Sequence, residues 1–223
     1  MIPLTHPTVP VEQPVVIGSA AARLRGSLVV PPAPRGLVLF AHGSGSSRLS
    51  PRNRFVASRL HARGLATLLL DLLEPREEGD RRKVFDIPLL AGRLGAATAW
   101  AEAHAGLRGL PLGYFGASTG AAVALREAAR PGARIAAVVS RGGRPDLALD
   151  ALPRVRAPVL LIVGARDETV LQLNRAAYAE LTCARHLAIV PGATHLFEEP
   201  GALEQVAETA GDWFARYLRA EAA

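Results

Sequence analysis

A chain of 223 residues that is 49% hydrophobic and 21% charged can bury one sizeable core, which excludes a disordered segment and argues for a single domain over residues 1–223. Its net charge of +6 raises the question of a nucleic-acid partner. Lys83 is the only lysine, and the arginines are scattered among alanines and glycines with no basic stripe beyond "EGDRRK", so the charge does not build a nucleic-acid footprint.

In chain order, the opening "MIPLTHPTVPVEQP" has neither a basic start nor an apolar run, so no secretory signal is expected. Val15 to Ser19 and Leu24 to Val30 read as two strands of a hairpin, ended by "PPAPRG". "LVLFAH" (Leu37 to His42) is a continuous apolar run, the pattern of a strand buried on both faces. Arg52 to Arg63 places Phe55, Val56 and Leu60 at helical spacing, and Gly64 stands where a helix ends. "LATLLLDL" is the next buried strand, the charged "EPREEGDRRK" a loop, and Ile87 to His104 a longer helix. "LGYFGA" is a strand, followed by a helix over Thr119 to Ala129. "RIAAVVS" and "PVLLIVG" are further strands, with Val170 to Leu181 helical after the second. "HLAIV" is a last short strand, and Pro200 to Ala220 a closing amphipathic helix. The one cysteine, Cys183, excludes an internal disulfide and fits a reducing, cytoplasmic setting. No apolar run is long enough to span a bilayer. Strands alternating with helices imply right-handed crossovers, a mainly parallel sheet covered on both faces, and sites at the carboxyl ends of the strands.

The polar residues at those ends form a pattern. Ser118 follows "LGYFGA" and precedes a helix within "GASTG", the strand-turn-helix context in which G-x-S-x-G marks an exposed nucleophile. Gly116 and Gly120 clear space around a strained turn, and the helix beginning at Thr119 aims its first N–H groups at charge developing near Ser118. A serine hydroxyl needs a base. Of six histidines, His6 lies in the terminal stretch, His61 and His104 fall within helices, and His186 opens a strand. His195, in the loop after the last strand, is the one placed to reach a strand-end site. Asp167 in "GARD", just past a buried strand, is the acceptor that would orient it, with Asp146 and Asp150 as weaker candidates and Glu168 read as solvated. The glycine-rich "AHGSGSSR" supplies a second oxyanion donor beside the N–H of Thr119. That donor is the N–H of Ser44, or failing that of Gly45, with His42 bracing the loop by hydrogen bonds.

Together "HGSGSSR", "GASTG", "GARD" and "GATHLF" make the chain resemble the α/β-hydrolase superfamily over essentially its whole length, and within it the dienelactone hydrolase-like group. The resemblance implies an α/β-hydrolase fold with a mostly parallel sheet of about eight strands. It also implies a Ser or Cys nucleophile with Asp and His, and no cofactor or metal. Dienelactone hydrolases proper carry cysteine in the elbow, where this chain has Ser118, which moves the expected chemistry toward general ester hydrolysis. Similar sequences occur fused to a phosphoribosyltransferase domain, for which 223 residues leave no room.

The expected function is therefore a serine hydrolase that cleaves a small carboxylic ester or lactone through an acyl-enzyme. Its partners would be that small molecule and water, with no nucleic acid and no membrane. Amide, thioester or peroxyacid chemistry is the enzymatic alternative. A non-catalytic binding protein on the same scaffold is the other, although no triad member is missing. Arg48, Arg141 and Arg144 lie near strand ends, either as solvated groups or as selectors of anionic substrates. Only "RGGRPDLALDALPRVRA" separates two strands where larger relatives insert a lid, so no large cap domain is expected. Because "EPREEGDRRKVFD" is highly charged, the site is expected to be open and to favour acyl groups from acetate to butyrate.

Overall fold

The computed structural model describes residues 11–19 and 22–219. β1 (Glu12–Ser19) and β2 (Ala22–Val29) form an antiparallel hairpin, and β2 pairs antiparallel with β4 (Ala66–Leu70). β3 (Leu37–Ala41), β4, β5 (Leu112–Ala117), β6 (Ile135–Arg141), β7 (Val159–Gly164) and β8 (Arg185–Val190) run parallel. The eight strands lie in the order β1-β2-β4-β3-β5-β6-β7-β8. The order turns back between β3 and β5: from β3 the chain moves outward to β4, then returns to β5 on the other side. In open parallel sheets a crevice forms at such a reversal, beyond the carboxyl ends of the strands.

Alternate residues of each central strand go to opposite faces. In β3, Leu37, Leu39 and Ala41 join one core with α3 (Ile87–Ala103) and α4 (Thr119–Ala128). Val38 and Phe40 join the other, with α1 (Pro51–Ala62) and α6 (Ala202–Tyr217). Both faces being covered explains why the strand reads as an unbroken apolar run. α5 (Glu168–Glu180) packs beside β7 and β8. Among the described residues no helix is long and apolar enough to cross a membrane.

The elements depart from the sequence reading where tertiary context outweighs local pattern. β1 begins at Glu12, three residues before its apolar alternation, because an edge strand needs few buried side chains; Ile17 alone is fully buried in it. Pro14 is tolerated there since an edge position can lack a ladder donor. The charged stretch read as a loop holds a short helix, α2 (Arg81–Val84), started by the Asp80 carboxylate accepting from the N–H of Arg82. The closing helix begins after Gly201, whose φ of 80° ends the preceding turn, and stops at Tyr217. The opening "MIPLTHPTVP", with His6, and Ala220 lie outside the described residues.

Candidate active site

β5 delivers Ser118 into a backbone conformation that residues with a Cβ rarely adopt, with φ 51° and ψ −121°. Three backbone hydrogen bonds hold it there. Its N–H donates to Arg141 O at 3.1 Å, and its carbonyl accepts from Arg144 N at 3.0 Å and Ala121 N at 3.1 Å. The flanking glycines are required by contact, not only by flexibility. A Cβ on Gly120 would stand 2.1 Å from Ala41 O, and one on Gly116 would stand 2.5 Å from Ala121 Cα. The elbow is thus pressed against the end of β3.

Asp167 immediately precedes α5, three residues past the end of β7, and His195 lies in the loop after β8. The two ends are drawn together by backbone: Ala165 N donates to Val190 O and Arg166 N to Ala193 O, both at 2.9 Å. Gly164 permits the approach, since a Cβ there would come within 2.3 Å of Ala193 O. The result is a 2.6 Å hydrogen bond from His195 Nδ1 to Asp167 Oδ2. With Nδ1 so committed, Nε2 is the nitrogen left for other work. Gly142, which follows the strand residue bonded to Ser118, lies against the imidazole, and a Cβ there would be 3.5 Å from Cε1. The histidine ring, the elbow serine and the aspartate therefore share one corner of the sheet.

On the other side of Ser118, Gly43 packs against it; a Cβ there would stand 2.9 Å from Ser118 Cβ and 3.6 Å from Oγ. The N–H of Ser44 donates to Thr119 Oγ1 at 2.9 Å. Both expected donors, Ser44 and Thr119, are therefore neighbours, but the Ser44 N–H already has a partner. That partnership was invisible in sequence because it joins residues 75 apart. His42 braces its own loop, with Nδ1 2.9 Å from Gly43 O. Its Nε2 is buried with no hydrogen-bond partner among the described residues. Asp146 and Asp150 are spent on Arg144 and Arg126, and not on His195.

The three arginines do not gather at the site. Arg48 is bound to Asp71 through its backbone N–H at 2.7 Å and its guanidinium at 2.5 Å. Arg144 holds Asp146 through two 2.8 Å bonds. Arg141 is buried at 6% exposure, donates to Asn53 Oδ1 at 3.3 Å and lies over the Phe197 ring. Burial, and then the neighbouring Arg52, push its pKa down to about 10. A side chain that follows the strand's inward face at its last residue cannot be told from a solvated one by spacing alone.

A cleft of about 600 Å³ opens beside the elbow, between the loop after β3 and the stretch after β4. His42, Ser44 and Thr119 border it at one end, Leu72, Leu73, Val84 and Leu90 at the other, with Arg52 and Glu78 among the remaining lining residues. Arg52 was missed in the sequence; the signal was the cap Ser50 with Pro51, which turns the loop straight into α1.

Residues 53–220 match the profile described as the dienelactone hydrolase family. The chain belongs to that family. A dienelactone hydrolase from Anabaena variabilis ATCC 29413 is 53% identical with a TM-score of 0.92, over 94% of this chain and 99% of that one. Outside such near relatives of this family member, the fold alone is shared. An esterase from Pyrococcus furiosus is 20% identical (TM-score 0.80, 94% of each chain), and Est1E from Butyrivibrio proteoclasticus 17% (TM-score 0.78, 91% and 98%). Proteins from two Mycobacterium tuberculosis strains, provisionally named phosphoribosyl transferases, are 56% identical over 207 residues, 93% of this chain and 47% of each of theirs. The chain spans about half the length of these curated relatives.

Proposed function

We propose that the chain is a serine hydrolase cleaving a small carboxylic ester or lactone through an acyl-enzyme. The observation that carries this reading is the strained Ser118 set beside a histidine whose Nδ1 is already held by Asp167 at 2.6 Å. Such a pair leaves Nε2 to accept the proton as Ser118 Oγ attacks the carbonyl carbon, and Asp167 stabilises the imidazolium that forms. The negative charge on the carbonyl oxygen falls to the N–H of Thr119, while the Ser44 N–H, bound to Thr119 Oγ1, acts through that hydroxyl. The Thr119 hydroxyl, which accepts from Ser44, keeps its own hydrogen to donate as well. His195 then protonates the leaving oxygen, and water, deprotonated by the same histidine, attacks the ester carbon and frees Ser118.

A hydrolase acting on an amide, thioester or peroxyacid would use the same residues. The phosphoribosyl transferase name belongs to relatives about half of whose length lies beyond this chain; that half is where such an activity would have room. The reading places the protein in the cytoplasm, acting without metal or cofactor.

Labelling with a fluorophosphonate, followed by location of the adduct by mass spectrometry, tests the assignment. The adduct is expected on Ser118. A folded protein that takes no label and hydrolyses no ester would overturn the reading in favour of a binding protein.

A further inference from the structure

The cleft lies on one side of the nucleophile only. Apart from Thr119 on α4, its lining comes from the segments after β3 and β4, whereas Asp167 and His195 come from the ends of β7 and β8, on the opposite side of β5. On the proposed reading, His195 must reach the leaving oxygen to protonate it. The leaving alcohol therefore faces β7 and β8. The acyl group is directed the other way, past Thr119 and Ser44, into the cleft.

What it meets there is a mixed lining, serines with Arg52 and Glu78 on the one hand and a group of aliphatic side chains on the other. Leu72 and Leu73 leave β4, Val84 projects from α2, and Leu90 from α3. They lie in or beside the most heavily charged stretch of the chain, where many of the charges pair with one another and Glu78, at the cleft, has no ion-pair partner among the described residues. Glu77 accepts from Arg93 at 2.6 and 3.0 Å and from Lys83 at 2.7 Å. Arg82 binds Asp80, and Arg76 binds Glu74. Arg93 Nη1 also donates to Leu72 O at 2.8 Å, tying the wall to α3. The expectation of an open site for short acyl groups rested on the missing lid and on the charge of this stretch. Part of that charge is taken up in ion pairs, while Leu72, Leu73, Val84 and Leu90 line the cleft.

We infer that the wall of Leu72, Leu73, Val84 and Leu90 is an acyl-binding subsite that selects esters of apolar acids longer than butyrate. This rests on the proposed hydrolase reading. The test is a series of p-nitrophenyl esters from acetate to dodecanoate with the full chain. kcat/KM is expected to rise from acetate to at least hexanoate, by up to about fourfold per added carbon. Val84→Asp and Val84→Trp, at a half-buried position, are each expected to lower the hexanoate-to-acetate ratio at least tenfold. Phe85→Ser, at the adjacent 47% exposed side chain outside the cleft lining, is expected to keep that ratio. An active wild-type enzyme with its maximum at acetate to butyrate would overturn the inference and leave the hydrolase reading standing. Unchanged ratios in both folded Val84 variants would do the same. A chain that hydrolyses no member of the series and takes no label at Ser118 would overturn both.

Discussion

The two flanks of Ser118 are built by different means. Toward β7 and β8 the geometry is set by backbone: carbonyl-to-amide bonds join the strand ends, and Gly164 lets main chain meet main chain at a distance no Cβ would allow. Toward β4 the wall is held by side chains, above all the Glu77–Arg93 pair, at 7% and 8% exposure. Backbone closure is insensitive to pH and salt, whereas an ion pair is not. The flank assigned to chemistry is thus fixed by the chain path, and the flank assigned to selection rests on charges that substitution or acid can remove.

The largest way to sharpen this contrast is at its centre. Ser118→Ala is expected to abolish ester hydrolysis, a loss reaching about 10⁶ in kcat, with Asp167→Asn costing about 10⁴. Both variants are expected to melt cooperatively near the wild-type temperature. Retention of more than a tenth of the activity in Ser118→Ala would exclude that residue as the nucleophile.

Next in size is the break on the charged flank. Arg93→Met leaves Glu77 buried with Lys83 as its remaining cation, and losing one partner of a buried pair costs about 3–5 kcal/mol. Denaturant titration is expected to show that loss. A folded variant is also expected to lose acyl-length discrimination more than acetate hydrolysis. If it loses both in proportion, the wall and the chemistry are not separable.

On the backbone flank, Gly164→Ala pushes a Cβ toward Ala193 O and displaces the loop carrying His195. A misplacement of about 1 Å in such a constellation costs about 100-fold in rate. Steady-state kinetics are expected to put that loss in kcat for every ester of the series alike. An effect confined to long-chain esters would reverse the roles given to the two flanks.

The smallest effect is one of acid. The hydrogen bonds from Arg93 hold the Glu77 carboxyl well below its usual range. A carboxyl more acidic in the folded than in the unfolded state contributes stability that is complete above the ordinary glutamate value of about 4.5 and drains away as pH falls below it. Thermal melts from pH 7 to pH 3 are expected to show a shallower acid decline in Glu77→Gln than in the wild type. Equal slopes would mean that the pair is not what acid removes.

The sequence made the strand ends legible because strands covered on both faces are continuous apolar runs. Ser118, Asp167 and His195 each follow such a run, so their place at one edge of the sheet could be read from pattern. Side-chain direction could not. Whether Arg141 points into the core, or whether Ser44 meets Thr119, depends on which residues face each other after the crossovers, and spacing carries no record of that. The charged stretch after β4, read as a loop, was opaque for the same reason: composition counts its charges but does not say that Glu77 turns inward to Arg93 while Val84 lines the cleft.

The backbone of Ser118 has one more consequence. Holding a residue with a Cβ in that region costs about 1–3 kcal/mol, while glycine there would lose only about 0.5–1 kcal/mol through its freer unfolded chain. A lineage under no demand except to fold would drift toward glycine at this position and gain stability by doing so. Serine there is the less stable choice, and on the proposed reading it gives up thermal resistance for a hydroxyl.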